Sequence, residues 1–294
     1  MTWPEANIEL AERDLRTLLT TQCPDIGDLE LTRETEGFDN VLWRLGDDFV
    51  VRLPRRKEAV TFLENEIRWL PQLAARVTLP ISCPVRIGLA SATFPWPWVV
   101  TNWYAGTPGD RIGPVASLES AHDFGSFLRS LHQGAPDEAP RNPWRSVELA
   151  QRAVTFEERM VSLEGLVDAS SVRRVWRQAL EAPVFAGPPV WLHGDLHPAN
   201  VIVASGALRA VVDFGDLCAG DPATDLAGAW MLFPPELVPA VWDAYGDVDE
   251  SLIRRSIGWA ALFGVMFVNL GRQGRTSYGD VGRRTLENIV RYES

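Results

Sequence analysis

Cysteine is scarce in this 294-residue chain. Cys23, Cys83 and Cys218 are odd in number and share no metal-like spacing, which argues against a disulfide-stapled scaffold and a cysteine metal cluster. They are expected as free thiols, small buried hydrophobes in a reducing compartment. Positive charge is also short: 28 Lys and Arg stand against 39 Asp and Glu, for a net charge of -11. Nucleic-acid affinity comes mainly from cationic neutralisation of phosphates, so no nucleic-acid partner is expected and a cationic small substrate is favoured. Long apolar runs are missing. The longest, Trp259 to Leu270, falls short of the roughly 20 residues that cross a bilayer and reads as a core helix, so no membrane span is expected. The start, Met1-Thr2-Trp3-Pro4-Glu5, lacks the basic and apolar stretches of a secretory signal, and a cytoplasmic protein is expected. There is no internal repeat and no low-complexity tract. With 46% hydrophobic and 23% charged residues, the chain has the composition of a globular protein able to fill a large core or two packed lobes.

The first hundred residues read as a small sheet with an inserted helix. Ile8, Ala11, Leu15, Leu18 and Leu19 recur at helical spacing. Val41 to Leu45 and Phe49 to Leu53 have strand character, and Gly46-Asp47-Asp48 between them suits a hairpin turn. A helix is expected over Phe62 to Leu73, then strands at Val85 to Leu89 and Trp98 to Trp103, separated by the turn-forming Phe94-Pro95-Trp96-Pro97. From Ser117, a candidate N-cap, the pattern turns helical. Further helices are expected around Val172 to Leu180, Pro235 to Tyr245, Glu250 to Leu270 and Val281 to Tyr292, interrupted by a β island between about Val190 and Phe214. A sheet lobe followed by a helical lobe places the expected site in a cleft at their boundary.

The island carries the chemistry. His193-Gly194-Asp195-Leu196-His197-Pro198-Ala199-Asn200 precedes the apolar strand Val201 to Ala204, and a second strand, Leu208 to Asp213, runs into Phe214-Gly215. With Ser205 and Gly206 as the turn, the hairpin sets Asn200 opposite Asp213. An amide oxygen and a carboxylate converging at a strand end are hard oxygen ligands suited to Mg²⁺. Asp195, on the adjoining loop, is placed to accept a proton from an attacking hydroxyl.

The order Asp, four residues, Asn, hairpin, Asp-Phe-Gly is that of kinase catalytic and metal-binding loops. His193 to Asn200, Val212 to Asp216 and Gly220-Asp221-Pro222-Ala223-Thr224-Asp225-Leu226-Ala227 together resemble the aminoglycoside and macrolide phosphotransferases, antibiotic kinases of the protein-kinase-like fold. Asn40 to Arg56, Trp98 to Gly106 and Ser130-Leu131-His132 extend the resemblance over nearly the whole chain. It implies an α+β, two-lobed fold: a nucleotide-binding lobe over 1–102 with a small antiparallel sheet, and a mainly helical lobe over 103–294 with the catalytic loop and acceptor site. It implies Asp195 as catalytic base, Asn200 and Asp213 as Mg²⁺ ligands, His193 as a packing residue behind the loop, and Asp225 beneath it accepting backbone N–H groups. ATP or GTP would be the donor, its purine held by backbone groups near Asn102 and Tyr104.

The family expects a phosphate-gripping cation on the third strand and an acidic partner on the next helix. Phe49-Val50-Val51-Arg52-Leu53-Pro54 offers Arg52 where protein kinases use lysine, a bidentate donor of different geometry. Helical spacing selects Glu66 over Glu64 as its partner. The turn Glu36 to Asn40 sits where a phosphate-covering loop belongs but lacks a G-x-G-x-x-G pattern. The reading is therefore a Mg²⁺-dependent kinase transferring a γ-phosphoryl group to a small-molecule hydroxyl, with an aminoglycoside or macrolide antibiotic first. The alternatives are a metabolic sugar or amino alcohol as acceptor, a non-catalytic nucleotide binder, or a zinc hydrolase using His193, Asp195 and His197. Acidic Asp216, Asp243, Asp247, Asp249 and Glu250 would favour a polyamine if they lined the site.

Overall fold

A computed structural model describes residues 5–293; the opening Met1 to Pro4, which enters the expectation of no secretory signal, lies outside the described residues. The chain forms two compact units. One takes the chain up to Arg76, Ile81–Ala105 and the short return Asp213–Gly215; the other takes Val77–Pro80, Gly106–Val212 and the chain from Asp216 on.

In the first unit, helix α1 (Glu12–Gln22) buries Leu15, Leu18 and Leu19, with Glu12 and Asp14 in its first turn, where carboxylates oppose the helix dipole favourably. Ile8 and Ala11, expected on the same helix, precede it. Ala11 is extended and serves as the cap, while Ile8 packs against the core from outside the helix. Strands β1 (Leu31–Glu36), β2 (Asn40–Leu45) and β3 (Phe49–Pro54) are followed by helix α2 (Lys57–Ala74) and by β4 (Pro84–Gly88) and β5 (Trp98–Asn102). The sheet is antiparallel throughout, in the order β1-β2-β3-β5-β4. The β2–β3 hairpin pairs Leu45 with Phe49 and turns at Gly46, whose φ of 59° suits a residue without Cβ. Central β3 is buried from Val50 through Pro54, and this holds the Arg52 side chain out of solvent. Helix α2 begins at Lys57, five residues before the expected Phe62, and the added residues bury Ala59.

The second unit begins with β6 (Thr107–Pro108) and α3 (Leu118–Leu131), capped by the Ser117 hydroxyl accepting from the Ser120 N–H. Helices α4 (Ala153–Val161) and α5 (Ala169–Glu181) follow, then β7 (Val190–Leu192), β8 (Val201–Ala204), β9 (Ala207–Val211) and β10 (Cys218–Gly220). Helices α6 (Ala223–Leu232), α7 (Val238–Tyr245), α8 (Glu250–Arg272) and α9 (Thr276–Tyr292) complete it. By length and composition α8 could cross a membrane, but 78% of its apolar window is buried inside the protein, as befits a core helix. Gly271 of α8 and Gly279 of α9 let the two backbones meet; a Cβ on Gly271 would lie 2.4 Å from the Gly279 Cα. Strand β1, helices α4 and α6, and strands β6 and β10 were not expected from the sequence.

The β8–β9 hairpin departs from the expected register. Val201 pairs with Val211, an irregularity follows between Ile202 and Val203, and the Asn200 carbonyl accepts from the Val212 N–H. Asn200 therefore stands opposite Val212, one residue before Asp213: the Ser205-Gly206 turn evenly continued would set it opposite Val211, and the bulge moves its partner on by one.

Candidate active site

The loop from His193 to Asn200 joins β7 to β8 and is held from below. Fully buried Asp225, in the first turn of α6, accepts the His193 N–H at Oδ2 (2.6 Å) and the Gly194 N–H at Oδ1 (2.9 Å). Its Oδ2 also lies 3.3 Å from His132 Nε2, and His132 Nδ1 is 3.0 Å from the Tyr245 hydroxyl. The contacts of Asp225 with the loop N–H groups are those the family resemblance implies; their continuation through His132 to Tyr245 on α7 was not foreseen, since these residues lie far apart in sequence. The His193 ring is fully buried; Nδ1 accepts from the Asp195 N–H (3.2 Å), so Nε2 carries the proton donated to the Val212 carbonyl (3.0 Å). With both ring nitrogens engaged, His193 has no lone pair for zinc, which removes the hydrolase reading.

Gly194 is required by position. Its φ is 84°, and a Cβ there would lie 2.3 Å from the Asp216 carbonyl oxygen. Gly194→Ala is expected to cost at least about 1–3 kcal/mol through left-handed strain alone, before the clash is counted. Urea unfolding measures it, and an unchanged midpoint would contradict the geometry.

The Asp195 side chain is 28% exposed. Its Oδ1 accepts from Arg145 Nη2 (2.9 Å), and its Oδ2 is 3.2 Å from His197 Nε2. Burial alone would raise the pKa of this carboxyl, but His197 and Arg145 together hold it well below the usual carboxylate range. Asn200 donates through Nδ2 to the Asp195 carbonyl (2.9 Å), which fixes the amide so that Oδ1 is the oxygen left to act as a donor atom.

Arg145 is the site residue that sequence reasoning missed. Its backbone N–H and that of Trp144 both donate to Asn142 Oδ1, and Asn142 Nδ2 donates to Asp216 Oδ1 (2.5 Å). Its guanidinium lies 4.7 Å from the centroid of Phe263. An Asn-Pro turn before an arginine carries no motif, so only the fold brings it to Asp195. Aromatic rings continue the wall: Phe267 and Tyr278 lie 5.0 and 5.5 Å from the His197 ring.

In the first unit, Arg52 reaches Glu66 with two contacts, Nη1 to Oε2 (2.5 Å) and Nη2 to Oε1 (2.9 Å), and Nη2 also lies 3.4 Å from Asp213 Oδ1. Glu66 is 1% exposed and Glu64 faces solvent. Burial works against the Arg52 charge, but Glu66 and Asp213 outweigh it and raise its pKa. The chain has a single lysine, Lys57 at the start of α2, so no lysine competes for this role. Asp213 has a φ of 64°, its N–H donates to the Ser82 hydroxyl (3.2 Å), and its carboxylate is 57% exposed. A non-glycine residue kept in this sparsely populated conformation is typical of functional turns.

The turn between β1 and β2 is tied down by Gly37 N–H to the Asn40 carbonyl, by Arg55 Nη1 to the Gly37 carbonyl, and by an Arg56–Asp39 ion pair. Asn102 ends β5 with an exposed side chain, and the Tyr104 hydroxyl donates to the Ile81 carbonyl (2.8 Å). Of the acidic residues considered for a polyamine, Asp249 caps α8 through the Leu252 N–H and Glu250 pairs with Arg254. Asp221 pairs with Arg255 (2.7 Å) and accepts the Ala223 N–H. These carboxylates are occupied with structure.

The fold is that of known antibiotic kinases. The chain matches an aminoglycoside phosphotransferase, APH(2")-IIIa in its GDP and kanamycin complex, with 24% identity over 95% of this chain and 98% of that one, at a TM-score of 0.68. It matches macrolide 2'-phosphotransferase MphH from Brachybacterium faecium with 23% identity over 93% and 98%, at a TM-score of 0.62. A macrolide 2'-phosphotransferase of type I gives 19% identity over 95% and 99%, at 0.61. No curated protein sequence matches. The α+β kinase-like architecture is shared with all three structures, a small antiparallel sheet preceding a helical part. The model of the APH group, the phosphotransferase enzyme family, matches residues 30–262. With most of its length covered by that model, the chain belongs to the phosphotransferase enzyme family, enzymes that transfer a phosphoryl group to an alcohol hydroxyl.

Proposed function

We propose that this chain transfers the γ-phosphoryl group of ATP or GTP, with Mg²⁺, to a hydroxyl of a small organic acceptor. The observation that carries the reading is the Asp195 carboxylate, held ionised and partly open on a loop whose backbone is clamped by Asp225. Such a group orients an attacking hydroxyl and accepts its proton, and catalysis is then mainly positioning and charge neutralisation.

The donor chemistry of Asn200 and Asp213 fits Mg²⁺. Asn200 has its Oδ1 turned free, Asp213 offers an exposed carboxylate, and Val212, the residue before Asp213, is hydrogen-bonded to Asn200. When bound, the ion would neutralise charge on the polyphosphate oxygens. Arg52, braced by Glu66, is assigned to the nucleotide phosphates, and backbone groups near Asn102 and Tyr104 to the purine. The bond from the Tyr104 hydroxyl to Ile81 leaves its main chain for that task. Residues 1–102 would then form the nucleotide-binding lobe, and 103–294 the part that carries the catalytic loop and acceptor site. Three free cysteines are in keeping with a cytoplasmic setting.

The names of the similar structures put an aminoglycoside or macrolide acceptor first. A metabolic hydroxyl compound is the second reading, favoured by the arginine on Asp195, which repels a polyamine. The test is Mg²⁺-dependent ADP or GDP release across aminoglycosides, macrolides, sugars, amino alcohols and hydroxy acids, with Asp195→Ala as the blank. Acceptor-dependent release that vanishes in the blank is expected. Nucleotide binding with no release from any acceptor would favour the non-catalytic reading.

A further inference from the structure

Arg145 meets Asp195 through one hydrogen bond, Nη2 to Oδ1, and its Nε is buried without a partner. A guanidinium that grips a carboxylate with both arms of its fork sets its own direction, whereas a single bond lets the group swing. Phe263, its ring centroid 4.7 Å from the guanidinium, limits that swing on one side. The rest of the aim has to come from the backbone that carries Arg145.

That backbone is a turn built around the buried Asn142. Asn142 Oδ1 accepts the N–H groups of Trp144 (2.8 Å) and Arg145 (3.2 Å), and its own N–H donates to the Ser146 hydroxyl (2.9 Å). The other half of the amide faces outward, where Nδ2 donates to Asp216 Oδ1 (2.5 Å). Two more bonds dock the same turn on the chain after Asp216: the Ala219 N–H donates to the Pro140 carbonyl (2.9 Å), and the Thr224 hydroxyl to the Arg145 carbonyl (3.4 Å). An amide is needed at position 142 because it accepts on one side and donates on the other; a carboxylate of the same shape has no donor for Asp216. With Arg145 on Oδ1 and His197 Nε2 3.2 Å from Oδ2, the Asp195 carboxylate is held at both oxygens, and losing the arginine would leave one contact about which it can turn.

We propose that Asn142, anchored on Asp216, is a positioning residue that aims Arg145 at Asp195 and so fixes the plane of the carboxylate that meets the acceptor hydroxyl. The inference rests on the kinase reading for the role of Asp195, and one arm of its test needs no turnover.

Asn142→Asp keeps an oxygen for the turn N–H groups but sets a second carboxylate against Asp216. It is expected to lower kcat by about 10- to 100-fold, as for a small misplacement of a reacting group, with affinity for a fluorescent nucleotide unchanged. Adding Asp216→Asn restores a donor–acceptor pair in the reverse sense and is expected to bring kcat back to the level of Asp216→Asn alone. In an Arg145→Met background, Asn142→Asp is expected to cost nothing further, because a residue that acts through Arg145 has no effect once Arg145 is gone. Heteronuclear NMR of the arginine guanidinium groups reads the placement directly, the Arg145 signals being those lost in Arg145→Met. Slow rotation, with separate Nη–H signals, is expected in wild type and in the swapped double variant, and averaged signals in Asn142→Asp. Should Asn142→Asp fold poorly by urea unfolding, Asn142→Ser, which adds no charge, reads the same quantities. Wild-type kcat in Asn142→Asp or Asn142→Ser, full additivity with Arg145→Met, or a freely rotating Arg145 guanidinium in wild type would overturn the assignment. A wild type inactive on every acceptor would count against the kinase reading alone, and the guanidinium signals would still decide whether Asn142 holds Arg145 in place.

Discussion

Asp195→Asn is expected to lower kcat by about 10²–10⁴, the range that a positioned general base supplies, with nucleotide affinity unchanged. Asparagine is the sharper substitution because it keeps the shape of the group and its contact with Arg145 while removing the charge. Asp195→Ala removes both, and leaves the buried Arg145 guanidinium with no carboxylate partner. Any extra loss of stability in the alanine variant relative to the asparagine one therefore reports on Arg145 and not on catalysis. The two readouts are single-turnover ADP formation and binding of a fluorescent nucleotide. Wild-type kcat in Asp195→Asn would remove Asp195 from the mechanism and leave His197 or a water to receive the proton.

Much of this arrangement could be read along the chain, and the reason is local. Strands β2 and β3 of the first unit are bounded by turn residues such as Gly46 and are rich in apolar side chains, so their places follow from periods that sequence displays, whereas β1, with one apolar residue in Leu31–Glu36, shows none. Glu66 could be chosen over Glu64 because helical geometry alone decides which of the two shares a face with Leu63 and Leu70. The hairpin register was missed by one residue because the Ser205-Gly206 turn is centred too early to face Asn200 with Asp213, and the bulge between Ile202 and Val203, which leaves no mark in a pattern of Val, Ile and Ala, makes up only one of the two residues. Strand β10 is only Cys218–Gly220, too short to show alternation, and exists through its pairing with β7. Arg145 and His132 are beyond such reasoning for a related cause: each meets its partner across 50 residues or more, in contacts that tertiary packing creates. The acidic residues near the C-terminal helices were legible as charges, but not as an N-cap at Asp249 or an ion pair at Glu250.

Glu66→Ala should be the most damaging single change in the first unit. Its partner Arg52 is buried, and removing one half of a buried, hydrogen-bonded ion pair leaves an uncompensated charge that costs about 3–5 kcal/mol. The structure offers Arg52 one escape, since its Nη2 already lies 3.4 Å from Asp213 Oδ1. Released from Glu66, the guanidinium is expected to turn onto that carboxylate and compete there with the proposed Mg²⁺. Two effects should then appear together: a lower urea midpoint, and a higher Mg²⁺ concentration for half-maximal ADP release. Replacing both partners with apolar residues of similar size, Arg52→Met with Glu66→Leu, separates them. The double variant buries no charge and should recover most of the lost stability, because well-packed apolar groups can replace a buried pair at little net cost. Its Mg²⁺ requirement should return toward wild type because no guanidinium remains to compete for Asp213, while its nucleotide affinity stays low for want of the cation. If Glu66→Ala unfolds at the wild-type midpoint, the pair is not under the strain of burial that its 1% exposure implies. If the double variant binds nucleotide as tightly as wild type, Arg52 does not grip the phosphates, and its work is confined to bracing α2 against β3.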